Sequence, residues 1–212
     1  MTGLDRIKRW CLLRAPEALD AFDPPAQASD VEALCAAVGA LPADLIAFWR
    51  RCGGTQIPGP FPFSILSPQE ALACWTQLQR NTVAVFPTAT AVDPGLRPAW
   101  THRGWVPLTD DGDGNHVCVD LAPGRDGRRG QVLVVLAHDP RRQVLASSWS
   151  AWVRSLADQL EGGTLVATED RGHFFGVLRR EDLVGPLVEL RVRGESESAR
   201  IARLKAGQHP PE

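Results

Sequence analysis

Asp110, Asp111 and Asp113 stand with Gly112 and Gly114 in the stretch PLTDDGDGNHVCVDL (residues 107–121), followed at once by His116, Cys118 and Asp120. Residues of these types support calcium binding, acid–base hydrolysis between two carboxylates, or attack by a thiol beside an imidazole. Calcium comes nearest in spacing. Counting from Thr109, residues Asp111, Asp113, Gly114 and Asp120 fall where an EF-hand loop places its third, fifth, sixth and twelfth residues. Yet the first ligand would be Thr, and the last would be Asp rather than the longer Glu. The flanks, Trp-Val-Pro-Leu and Val-Cys-Val, read as strands where an EF-hand needs helices. A hydrolase needs one neutral and one charged carboxylate, whereas three aspartates in one Gly-rich turn stay solvated and ionised. His116 and Cys118 project to one side of a strand, but a cysteine inside a strand is a packing residue before it is a nucleophile. Neither GxSxG nor a P-loop occurs. The residues assign no catalytic group, no cofactor and no metal.

A turn accounts for more of the stretch. Asp and Asn fold their side chains onto nearby backbone, and Gly112 and Gly114 supply positive φ. The expectation is a rigid acidic knuckle between two strands, displayed rather than buried.

The elements that must hold this knuckle are legible along the chain. Ser29 and Glu32 have capping-box spacing and open a helix that stops at Gly39. In LPADLIAFWRRCGG, Pro42 suits a first helical turn. Leu45, Phe48, Trp49 and Cys52 form one buried face, and Gly53-Gly54 ends the helix. Pro58, Pro60 and Pro62 mark a loop before the short strand FSIL. Ser67, Pro68 and Glu70 open the next helix with a second capping box. Residues 81–99 read as an irregular surface insertion. Trp105–Leu108 reads as an edge strand and HVCVDL as an alternating one. QVLVVLA reads as a central strand covered on both sides, HDPRRQ as a turn, and VLAS as a further strand. Trp149, Trp152, Val153, Leu156 and Leu160 then recur at helical period up to Gly162-Gly163. Strands joined by short polar turns pair antiparallel, so the fold class is α+β, a mostly antiparallel sheet backed by helices. Residues 164–193 add a hairpin and a strand, and 194–212 read as a short charged helix and tail.

Bulk composition restricts the functional class. With 44% hydrophobic and 23% charged residues the chain is of ordinary globular type, and its longest apolar run, Val132 to Ala137, is far short of a membrane span. The first twenty residues are too poor in apolar sequence for a secretory signal. Five scattered cysteines without a CxxC pair indicate reduced thiols in a cytoplasmic protein. Net charge is −2, but residues 15–49 carry six acids and residues 104–124 carry four, neither window holding Lys or Arg. Such windows favour a cationic partner over nucleic acid, which would call for a basic stripe.

The motif LPADLIAFWRRCGG, followed by Trp105-Val-Pro-Leu108, Asp111-Gly-Asp-Gly-Asn115 and Val-Cys-Val-Asp-Leu121, resembles the SUKH superfamily of the Smi/Knr type. Gly130-Gln-Val132, His138-Asp139 and the Ser-Trp start of the last long helix continue the match. The resemblance covers roughly residues 29–163. Residues 1–28 are then an N-terminal extension, and 164–212, for which the family offers no counterpart, a C-terminal extension expected to pack on the same domain. It implies an α+β domain with no common catalytic set. What carries over is a fold-making pattern at Leu41, Pro42, Gly53, Gly54, Trp105, Pro107, Asp111, Gly112, Gly114, Asn115 and Asp120. It further implies the bacterial immunity branch, whose members neutralise cognate polymorphic toxins delivered by contact-dependent or type VI-like secretion.

The expectation is a non-enzymatic immunity protein that binds the basic cleft of a nuclease or deaminase toxin. The binding residues would be Asp110, Asp111 and Asp113, with Glu70 and Trp75 as neighbours. The alternative is a regulatory or scaffolding interaction module without a toxin, as the fungal namesake suggests.

Overall fold

A computed structural model describes residues 1–80, 91–170, 173–183 and 191–194. Among these residues the helices are α1 (Gly3–Arg14), α2 (Ala28–Val38), α3 (Ala43–Trp49), α4 (Pro68–Arg80) and α5 (Trp149–Glu161). The strands are β1 (Ser64–Ile65), β2 (Ala91–Val92), β3 (Trp105–Pro107), β4 (Thr109–Asp110), β5 (His116–Asp120), β6 (Val132–Val135), β7 (Arg141–Ala146), β8 (Leu165–Asp170), β9 (His173–Arg179) and β10 (Arg191–Val192). The chain is α+β, and every strand pair but one is antiparallel among the described residues.

The chain divides into two compact units, and the division falls inside α5. The larger comprises Phe22–Gln56 and Phe63–Arg154. Its sheet has the order β2-β7-β6-β5-β3, beside a two-stranded β1-β4 pair. The apolar strand β6 lies between β5 and β7, and β3 is an edge, where Pro107 needs no ladder partner on its open side. Leu96, Trp105, Cys118, Leu133 and Val135 form a core cluster of the unit. Val106, Val119 and Val132, which alternate with cluster residues along their strands, are equally buried. Alternation along β5 therefore does not separate core from solvent. The His116, Cys118 and Asp120 set is buried as well as Val119. Helix α2 packs on α4, and α4 on β3. An aromatic chain joins Phe48 to Trp149 (5.4 Å, edge to face), Trp149 to Trp152 (4.8 Å) and Trp152 to Phe63 (5.8 Å).

Helix starts show where local chemistry prevails and where it is overridden. At α4 the box forms as spaced: Glu70 N donates to Ser67 Oγ (3.2 Å), and Ser67 N donates to Glu70 Oε2 (2.8 Å). At α2 the expected Ser29–Glu32 box is absent. The helix begins at Ala28 with Gln27 as its cap residue, and no side chain caps it. Ala26 N donates to Trp49 O (2.9 Å), which pins the entering backbone and leaves Ser29 inside the first turn. Helix α5 has both a local and a distant cap, since Ala151 N donates to Ser148 Oγ (3.3 Å) and Ser150 N donates to Asp44 Oδ2 (2.8 Å).

Of the proposed irregular surface insertion, residues 81–90 lie outside the described residues; 93–99 hold no helix or strand, as expected, but the segment is not wholly at the surface. Ala91–Val92 pair parallel with Arg141–Arg142, and Leu96 enters the core. The proposed turn HDPRRQ gives way to β7 at Arg141, and Arg142 is buried. Its guanidinium donates to the carbonyls of Trp100 (2.8 and 3.2 Å), Asp139 (2.6 Å) and Arg141 (2.7 Å) and lies 4.8 Å from the Trp100 ring centre. Three carbonyls replace a carboxylate as its partners, so the cation ties the 91–100 segment to the sheet.

The smaller unit comprises Met1–Ala21, Ile57–Pro62 and Ser155–Glu212. It contains the helix α1, where Thr2 and Asp5 form a reciprocal capping box and Leu4, Ile7 and Cys11 are buried at helical spacing. Arg6 donates to Glu161 (2.5 and 3.0 Å) and Asp158 (2.7 Å). Strands β8 and β9 form the expected hairpin, and β10 pairs with β8. The expected charged helix within 194–212 lies outside the described residues from 195 onward.

Candidate interaction site

The acidic knuckle is the loop that joins β4 to β5, and its backbone is held by its own side chains. Gly112 N donates to Asp110 Oδ1 (2.9 Å). Asp113 N (2.9 Å) and Asn115 N (3.1 Å) donate to Asp111 Oδ1, and Asn115 Nδ2 donates to Asp111 Oδ2 (2.7 Å). Ala137 N then donates to Asn115 Oδ1 (3.0 Å), which ties the loop to the end of β6. Gly112 and Gly114 take φ of 84° and 80°, as the turn requires. Asp113 is exposed, while Asp110 and Asp111 are half-buried. Among the described residues none of the three carboxylates pairs with a basic side chain.

The groups behind the knuckle are built for packing. His116 Nδ1 lies 2.8 Å from Thr109 O, and because a carbonyl only accepts, Nδ1 carries the proton. Its Nε2 faces Cys74 Sγ at 3.8 Å, a thiol from α4 rather than the Cys118 that the strand spacing suggests. Burial and the nearby Asp110 carboxylate push the Cys74 thiol up to about 11, so it stays protonated and donates to the ring. Cys118 is buried in the core, and burial pushes its thiol up as well. Neither thiol is an activated nucleophile. Asp120 is fully buried, receives hydrogen bonds from Gln131 Nε2 (3.0 Å) and Ala122 N (2.9 Å), and is raised above the ordinary carboxylate range by burial. It braces the β5–β6 connection and does not join the aspartate trio. Among the described residues no three His, Cys, Asp or Glu side chains converge on a metal position.

Glu70 and Trp75 occupy α4 with different surroundings. Glu70 is exposed, and its carboxylate is engaged by Ser67 at the start of the helix. Trp75 donates its indole N–H to Arg103 O (2.9 Å). It lines a groove of about 490 Å³ with Ala37, Val38, Gln79, His102, Arg103, Gly104, Leu121, Ala122 and Arg129. No carboxylate lines that groove, so Trp75 is grouped with arginines and not with the acidic loop.

A model of the SMI1 / KNR4 family (SUKH-1) matches residues 25–155, more than half of the chain. The chain belongs to the SMI1/KNR4 family. Among its relatives are a KNR4/SMI1 homolog of Yarrowia lipolytica, 30% identical over 120 residues, and the cell wall assembly regulator SMI1 of Saccharomyces cerevisiae, 31% identical over 108. A glucan synthesis regulatory protein of Neurospora crassa is 35% identical over 96 residues. These alignments cover 56%, 48% and 45% of this chain but only 17%, 21% and 17% of the respective relatives. The chain therefore spans about a fifth of the length of the curated relatives it matches. The family placement read from the motifs stands. Two of these relatives, however, the Saccharomyces and Neurospora proteins, are named as regulators, where the motifs alone suggested the bacterial immunity branch.

In this SMI1/KNR4 domain the motif residues are scaffold. A Cβ on Gly53 would lie 2.4 Å from Pro24 O, and one on Gly54 2.5 Å from Ile65 O. Gly53 N donates to Pro24 O and Thr55 N to Ile65 O, both at 2.8 Å, so the GG pair lets two backbones touch there. Trp105 and Pro107 form the edge strand, and Asp111 and Asn115 hold the knuckle.

Proposed function

We propose that this chain is a non-catalytic, cytoplasmic protein-interaction domain of regulatory type that docks a cationic partner protein on its acidic knuckle. The interaction domain spans 29–163, with 1–28 and 164–212 as extensions, and it calls on no cofactor. The carrying observation is that Asp111 rigidifies the loop while the trio keeps its charge unpaired among the described residues. A charge held in place needs little reordering on binding and speeds encounter with an oppositely charged surface. Glu70 adds a further carboxylate. The names of the relatives favour control of cell-wall assembly as the process served.

Neutralisation of a toxin is the second reading, in which the charge of the same acidic loop would complement a basic phosphate-binding cleft. Deleting the gene in its own host separates the two. Regulation predicts sensitivity to wall-targeting agents that the wild-type gene rescues and the Asp110→Asn/Asp111→Asn/Asp113→Asn variant does not. Immunity predicts cell death that disappears when a neighbouring toxin reading frame is also removed. A deletion strain with neither phenotype overturns both.

A further inference from the structure

The groove beside Trp75 carries the opposite charge to the knuckle. Arg103 and Arg129 line it, both are exposed, and neither pairs with a carboxylate among the described residues. Arg129 is steadied by donating to Ala40 O (2.5 Å). His102 accepts from Gly104 N at Nδ1 (3.0 Å), so its Nε2 carries the proton and is available as a donor. Arg97, which donates to Ala122 O (2.8 Å), lies close enough to act on the His102 charge. Because Trp75 has its N–H satisfied by Arg103 O, it offers the groove only apolar ring surface, next to Val38. The lining thus presents donors and apolar surface with no carboxylate.

We propose that this groove is a second docking site, which takes a short acidic peptide segment of a partner protein. Its carboxylates would bind Arg103 and Arg129, and an aliphatic side chain would pack on Trp75. Guanidinium groups that lack an internal partner favour carboxylates, which they bind in bidentate pairs. The volume of about 490 Å³ is that of a ligand pocket and suits a few side chains. A nucleic acid fits poorly, because the acid-only window at 104–124 would repel a long polyanion that a short peptide avoids. The site does not depend on the knuckle: it selects for charge of the other sign with different residues.

The test uses the full chain and a fluorescein-labelled peptide of sequence ELDDLE, read by anisotropy, with KLNNLK as control. The expected result is salt-sensitive binding of ELDDLE alone, weakened at least about tenfold by Arg103→Glu with Arg129→Glu. The Asp110→Asn/Asp111→Asn/Asp113→Asn variant should bind it as the wild type does, which separates this site from the knuckle. A second readout needs no substitution: on ¹⁵N-labelled protein the peptide should shift the Trp75 indole and Gly104 amide signals. Absence of binding, equal binding of KLNNLK, persistence in the double Arg variant, or equal displacement by single-stranded DNA would each overturn the proposal.

Discussion

Asp111 commits its carboxylate to three donors of its own loop, whereas Asp113, exposed two positions on, accepts no hydrogen bond among the described residues. Replacing Asp111 by Ala should lower stability by about 1–2 kcal/mol, as expected when a half-buried acceptor leaves donors unpaired. Asp113→Ala should stay within about 0.5 kcal/mol of wild type. Urea unfolding followed by tryptophan fluorescence measures both, and equal losses would show that the loop is not braced as described. His102 supplies a pH dependence. Burial, then the charge of Arg97, holds its pKa below the ordinary value of 6.5, against the pull of Asp120. Protonation therefore favours the unfolded chain. The stabilisation is complete above pH 6.5 and is lost as pH falls through the lower native value. His102→Gln should flatten the fall of the urea midpoint across that window. An unchanged slope in the variant would refute the assignment.

At the scale of elements, glycines that look alike in sequence do different work. Gly39 ends α2 with φ of 90° and ψ of −173°, a region essentially restricted to glycine, but has open space around it, so Gly39→Ala should cost about 1–2 kcal/mol of backbone strain and cause no clash. Gly53 meets the Pro24 carbonyl at 2.4 Å, and Gly53→Ala should cost about 3 kcal/mol or prevent folding. Calorimetry of the two variants should keep that order. The GG pair reads in sequence as a helix stop, but helix α3 already ends at Trp49, and the pair serves backbone approach. Helices α4 and α5 were legible, because the Ser67–Glu70 box and the Trp149, Trp152, Val153, Leu156, Leu160 stripe are local patterns and all five stripe residues are buried. Strand β2 was not, since a two-residue strand is defined by its partner Arg141–Arg142 and not by its own composition.

Across the whole chain the net charge of −2 conceals an acidic loop and an arginine-lined groove within one unit. A cationic partner should therefore bind more slowly as salt rises from about 50 to about 300 mM, where the screening length shortens to several ångströms. Stopped-flow association should show that Asp110→Asn/Asp111→Asn/Asp113→Asn removes most of this dependence, and a slope that survives would place the contact elsewhere. The sequence by itself determined the α+β class, the order of most elements, the family motifs and the turn chemistry of the knuckle. Each of these rests on interactions between residues a few positions apart. Only the tertiary structure decided that His116 faces Cys74 instead of Cys118 and that Arg142 lies buried among carbonyls. It alone gathered Val38, Trp75, His102 and Arg129 around one groove. Those residues lie on separate segments, so no local spacing encodes their meeting; packing of α2 on α4 and of α4 on the sheet edge brings them together.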